Sequence, residues 1–147
     1  MSDEQNILIS VEERHTLKML AGAKTVELRR KPLNIDPGTR VWIYSKLPRG
    51  QIHAFATARD VVSGPPAEIW SHYGTMACVS KREFDTYFDD LQTGYAIILE
   101  DVAPLSPGLA LATIRETVSR FQPPQFFKRL SNDGPELQLF QTALAQA

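Results

Sequence analysis

Glu27 and Arg29 stand two residues apart, with Lys24 three residues before the carboxylate, in the stretch Gly22-Ala23-Lys24-Thr25-Val26-Glu27-Leu28-Arg29-Arg30-Lys31. Read as a strand, this stretch puts Thr25, Glu27 and Arg29 on one side, wholly polar, and Lys24, Val26, Leu28 and Arg30 on the other. Glu27 and Arg29 are then roughly 6.5 to 7 Å apart along the strand and can converge on one ligand, the carboxylate accepting hydrogen bonds and the guanidinium donating them. The same spacing also suits a solvated face or an internal ion pair. A second group, Tyr44-Ser45-Lys46, ends an alternating segment and is followed by Arg49 in the turn Leu47-Pro48-Arg49-Gly50. Lysines and arginines meet phosphates, aromatics stack on bases, and a glutamate accepts from a base edge. Lys24, Thr25, Glu27, Arg29, Arg30, Tyr44, Ser45, Lys46 and Arg49 are therefore the candidate residues for contact with single-stranded RNA or a nucleotide.

The signatures of other chemistries are missing. There is no phosphate-cradling glycine loop, no Gly-x-Ser-x-Gly elbow and no His-Glu-x-x-His, and His15, His53 and His72 lack metal-ligand spacing. Asp85, Asp89 and Asp90 come without the glycine and further carboxylates of a calcium loop, so they suit a solvated helix face. The expectation is a chain with no cofactor, no metal and no assigned catalytic residue. Cys78 is the only cysteine, which excludes an intrachain disulfide and suits a small apolar filler in a reducing compartment. One more element is unusual: Gln122-Pro123-Pro124-Gln125-Phe126-Phe127-Lys128-Arg129 fixes its backbone with prolines, then sets two aromatics beside two cations. Its phenylalanines either cover the core or form an aromatic and cationic rim for a ligand or a protein partner.

The elements that must position these groups follow from periodicity. Ile7-Leu8-Ile9 suits a strand, and Ser10-x-x-Glu13 is a capping-box signature for a helix that Gly22 stops. After the turn Asp36-Pro37-Gly38, the segment from Arg40 to Leu47 alternates as a strand, with Trp42, Tyr44 and Lys46 on one face. Gln51 to Val62 reads as a long strand with Ile52, Ala54, Ala56 and Ala58 of one parity, whose small residues suggest close packing, and with His53 a structural histidine. Ala67 to Tyr73 suits a short helix. A second capping box, Ser80-Lys81-Arg82-Glu83, opens another helix whose Phe84, Tyr87 and Phe88 read as a core stripe. Tyr95 to Glu100 is a buried strand that Pro104 and Pro107-Gly108 are expected to end, Leu111 to Val118 fits helix or strand, and Pro135 to Ala147 suits a docked C-terminal helix.

A chain of 147 residues is sized for one domain, 1–147, with a sizeable core. Its formal net charge of −1 conceals a partition. From Arg14 to Arg59 there are ten basic residues against two acidic ones, a balance of +8, and from Asp60 to Ile114 two basic against eight acidic, a balance of −6. Such a dipole either presents a basic surface to an anion, nucleic acid above all, or reflects two lobes neutralising each other. No apolar run approaches the length of a membrane helix, and Met1-Ser2-Asp3-Glu4-Gln5 lacks a signal-peptide pattern, so the expected location is cytoplasmic, away from membranes.

With Gly22-x-Lys24-Thr25-x-Glu27-x-Arg29, then Pro37-Gly38-x-Arg40-Val41-x-Ile43-Tyr44, then Ser80-Lys81-Arg82-Glu83-Phe84 and Tyr95-Ala96-Ile97, the chain resembles the ASCH domain of the PUA-like superfamily. The resemblance implies an α+β fold, a partly open and mostly antiparallel β-barrel with helices around it, and a cleft displaying Lys24, Glu27 and Arg29. It also implies RNA binding, with a coactivator or regulatory role. Two enzymatic variants belong to the same resemblance. Amidohydrolases acting on N4-acetylcytidine use a lysine, a threonine three positions later and a distal glutamate, whereas Glu27 stands at the threonine position here. Ribonuclease activity is the other, for which Lys24, Tyr44, Ser45 and Lys46 could supply metal-free acid-base groups and phosphate contacts.

Overall fold

The computed structural model describes residues 4–147; Met1, Ser2 and Asp3, part of the polar start that lacks a signal-peptide pattern, lie outside the described residues. Asn6–Val11 forms β1, Val26–Arg29 β2, Thr39–Ser45 β3, Gln51–Gly64 β4, Gly94–Ala110 β5 and Phe127–Arg129 β6. They join in one sheet of order β2-β5-β4-β3-β1-β6. Every neighbouring pair is antiparallel except β1 with β3. The sheet curls into a half-barrel, ringed by α1 (Glu13–Leu20), α2 (Pro66–Tyr73), α3 (Lys81–Tyr87), α4 (Leu111–Thr117) and α5 (Pro135–Gln146). This is the α+β, partly open barrel that the resemblance implies.

Strand alternation sorts the apolar residues into three layers. Ile7 and Ile9 of β1, Val41 and Ile43 of β3, Ala54, Ala56 and Ala58 of β4 and Ile97 and Leu99 of β5 meet on the concave side, where α1 adds Met19. The alternate residues Leu8, Trp42 and Tyr44 point outward and are covered by Ile114 of α4 and by Leu137 and Phe140 of α5. On the third layer Val26 and Leu28 of β2, with Ala96 and Ile98 of β5, pack under Ile69 of α2 and Phe84 of α3. Three alanines in a row on β4 leave the room that Met19 and the larger side chains of β1 and β3 fill.

Local signals were realised where tertiary pairing did not compete. Ser80 caps α3, its Oγ accepting from the Glu83 amide at 3.0 Å. The matching signature at Ser10 does not act as a cap, because parallel pairing with β3 runs on to Val11 opposite Ser45 and keeps Ser10 in the strand; α1 begins after Glu12, which makes no side-chain cap. Nor do the prolines end β5. Between the pairs Ala54–Pro104 and Ile52–Leu109 the register with β4 shifts, and Pro104 and Pro107 fall at that interruption, where a missing amide hydrogen disturbs no regular ladder. Gly108 sits there too, and a Cβ on it would lie 3.0 Å from the Cβ of His53. Leu111–Thr117 resolves as helix and Pro135–Gln146 as the docked C-terminal helix.

Candidate functional site

Glu27 lies opposite Ile97 and Arg29 opposite Tyr95 in the ladder of β2 with β5. Paired residues share a face, so both charged side chains point to the concave side while Val26 and Leu28 enter the outer layer. The polar face anticipated for this strand therefore faces inward. Lys24 joins them, against the alternation anticipated for it, because regular strand starts only at Val26 and residue 24 is released from that parity. Gly22, in the left-handed region with φ of 81°, turns the chain out of α1, and the amides of Ala23 and Lys24 both donate to the carbonyl of Lys18.

The three side chains form a buried chain of charges. Lys24 Nζ is 3.6 Å from Glu27 Oε1 and donates to the carbonyl of Ala77, and Arg29 Nη2 is 3.1 Å from Glu27 Oε2. Lys24 is only 1% exposed. Burial draws its pKa below the ordinary lysine value, and the Glu27 carboxylate opposes that shift. Arg29 also donates to the carbonyl of Phe126 at 2.9 Å and to that of Ser10 at 3.2 Å, so it ties β2 to β1 and to the loop before β6. Two cationic side chains thus share one carboxylate.

These groups floor a cleft of about 400 Å³. Its walls come from Ser10, from Arg14 and His15 of α1, from Glu83 and Tyr87 of α3, and from Phe126; Arg30, Lys31 and Lys46 also line it. Three atoms of residues around the cleft, Ser10 Oγ, His15 Nδ1 and Arg29 Nε, are buried without a partner among the described residues. His15 has its pKa lowered by burial and then by the positive charge of Lys24, which favours the neutral imidazole. Glu83 is paired with Arg14, whose hydrogen bonds hold its carboxyl below the ordinary range. Among the described residues no group of three or more His, Cys, Asp or Glu side chains gathers where a metal ion could be held.

Of the nine residues singled out from the sequence, Lys24, Glu27, Arg29, Arg30 and Lys46 line this cleft and four do not. Thr25 is bound into the backbone, its amide donating to Met76 and its carbonyl accepting from Leu99. Tyr44 is 3% exposed in the outer layer with Trp42, so it offers no stacking face. Ser45 is fully buried, its hydroxyl 2.7 Å from both the Thr16 hydroxyl and His53 Nε2. Arg49 pairs with Glu13 at 2.6 Å. The three residues Tyr44, Ser45 and Lys46 thus diverge to three environments, because alternation aims the first two to opposite faces and Lys46 lies just past the strand. Ser10, Arg14, His15 and Tyr87 were not anticipated. The aromatic stripe of α3 hid Tyr87: Phe84 and Phe88 are core, whereas Tyr87 is 36% exposed and donates to the Leu28 carbonyl. Phe126 belongs to the proline-fixed segment already conspicuous by its composition.

A curled half-barrel whose concave face ends in a charged cleft is the PUA-like, partly open barrel. No family model matches the chain. A curated relative, the ASCH domain-containing ribonuclease of Zymomonas mobilis, is 32% identical over 123 residues, 84% of this chain and 82% of the relative. The crystal structure of ASCH from Zymomonas mobilis superposes with a TM-score of 0.86 at 28% identity, covering 98% of this chain and 96% of that one. Human THYN1, solved in complex with 5-methylcytosine containing DNA, has a TM-score of 0.56 at 8% identity over 95% of this chain and 98% of its own, a likeness of fold alone. The chain belongs to the ASCH domain family. No helix among the described residues is long and apolar enough to cross a membrane.

Proposed function

We propose that this protein binds single-stranded RNA, with one nucleotide drawn into the cleft and the flanking phosphates held at its rim. The observation that carries this reading is the contrast between floor and rim. The floor charges are partly compensated through Glu27, while Arg30, Lys31 and Lys46 at the cleft have no carboxylate within ion-pair distance among the described residues. A floor that sets a carboxylate beside a guanidinium suits the mixed edge of a base, and uncompensated cations suit phosphates. The volume falls within the range of small-ligand sites. The ribonuclease name of the relative at 32% identity supports an RNA ligand. The test is titration of labelled single-stranded RNA followed by fluorescence anisotropy. Affinity falls as salt rises, and Arg30→Ala and Lys46→Ala each weaken binding roughly three- to tenfold and flatten the salt dependence by roughly 0.7 per lost phosphate contact. Binding that ignores salt and both substitutions overturns the reading.

A second reading, cleavage of the bound RNA, is favoured by His15. A neutral imidazole beside Lys24 is in the state that accepts a proton, here that of a ribose 2′-hydroxyl. Its oxygen would attack the adjacent phosphorus, displacing the 5′-oxygen, which takes a proton from water, and leaving a 2′,3′-cyclic phosphate. Incubating labelled RNA with protein in the presence of a chelator distinguishes the two, since a binding module leaves the RNA intact and an enzyme loses turnover on His15→Ala.

A further inference from the structure

Phe126 is left without a purpose by the cleft floor. Large apolar side chains are seldom left open at the mouth of a charged site, yet Phe126 is 45% exposed, lines the cleft and heads the short segment that enters β6. Its position is held from below, since its carbonyl accepts from Arg29 at 2.9 Å, the same guanidinium that binds Glu27. Above, the Lys31 ammonium lies 4.2 Å from the ring centroid, an electrostatic contact that also places a cation with no carboxylate partner among the described residues next to the aromatic surface. Phe121 and Phe127, the neighbouring phenylalanines, are by contrast in or against the core. An exposed ring, pinned by its backbone to the cleft floor and flanked by a phosphate-competent cation, combines the two parts of a single-strand site: a π-face for a base and a charge for its phosphate.

We propose that Phe126 is a stacking platform for the base adjoining the cleft-bound nucleotide, with Lys31 neutralising the phosphate between them. The site then spans at least two nucleotides, and its ligand is an oligonucleotide, not a mononucleotide. This rests on the reading of the cleft as an RNA site. It adds that the neighbour of the captured nucleotide is held by ring surface, with little dependence on which base it is, purines stacking better than pyrimidines.

The test compares the four nucleoside monophosphates with the four matching homotetranucleotides, titrated against the wild-type protein and variants by calorimetry or anisotropy. Phe126→Ala lowers tetranucleotide affinity about tenfold and changes monophosphate affinity less than about twofold, Phe126→Leu behaves like Phe126→Ala, and Phe126→Tyr retains wild-type affinity. Equal losses for both ligand sets on Phe126→Ala, or full affinity in Phe126→Leu, overturn the platform, because the ring would then serve only as packing for the cleft or do nothing. Failure of the cleft reading looks different: tetranucleotide binding that survives Glu27→Gln but falls on Phe126→Ala leaves the platform standing and removes the cleft. A protein that binds no tetranucleotide at low salt overturns both.

Discussion

Two buried polar clusters lie within reach of α1, and they differ in the property that makes a site. In the closed cluster, Thr16, Ser45 and His53 form a chain of hydrogen bonds at 2.7 Å, and the ring reaches Ser45 because His53 is the extra residue of a bulge, Ile43 pairing with Ala54 and Tyr44 with Ile52. Burial lowers the His53 pKa, which favours the neutral ring, and the three side chains bond to one another. In the open cluster, Lys24, Glu27 and Arg29 carry charge to the wall of a cleft, and Arg29 Nε has no partner among the described residues. A serine beside a histidine has the residue types of a catalytic pair, but full burial of Ser45 denies access to any substrate. Charged side chains that line an open cleft mark a site better than reactive residue types do.

Substitution can break that contrast. The largest effect is expected from Glu27→Ala, which leaves two buried cations sharing no carboxylate: about 3 kcal/mol of stability is lost in denaturant titration, and RNA affinity changes with it. Ser45→Ala strands the hydroxyl of Thr16 and the ring of His53 and costs about 2 kcal/mol, yet the folded fraction binds RNA with unchanged affinity. Should Ser45→Ala change RNA binding as much as Glu27→Ala does, the two clusters act as one site and the distinction fails. The smallest effect is pH dependence. A histidine whose folded pKa lies below the ordinary 6.5 takes up its proton more readily when unfolded, so the stability it contributes is whole above that pH and declines as pH falls through it. His15 and His53 both carry this sign. The denaturant midpoint therefore drops as the solution is acidified below about pH 6.5, and His53→Gln reduces the drop; a midpoint that rises on acidification contradicts it.

Much of this protein is set by local signals. Alternation in β3 and in β4 from Ala54 onward dictates which residues face the concave layer, whereas the bulge at His53 sends Ile52 to the outer one; the cap at Ser80 starts α3, Gly22 ends the first helical region, and the paired parity of Glu27 and Arg29 puts both on one side of β2. Each depends on a few consecutive residues, so each is legible in the chain alone. Other outcomes depend on which segment lies alongside. Ser10 stays in β1 because β3 pairs with it, Pro104 and Pro107 remain in β5 because β4 shifts register there, and Tyr44 is buried because α4 and α5 cover its face. The cleft belongs to this second kind. Lys24 and Glu27 are neighbours in sequence, but His15, Tyr87 and Phe126 reach them from α1, α3 and the loop before β6. Sequence by itself determined that a carboxylate and a guanidinium, Glu27 and Arg29, would share one side of β2; only the tertiary structure decided that Lys24 joins them and that all three are buried beneath an aromatic rim, because burial and access arise from segments distant in the chain.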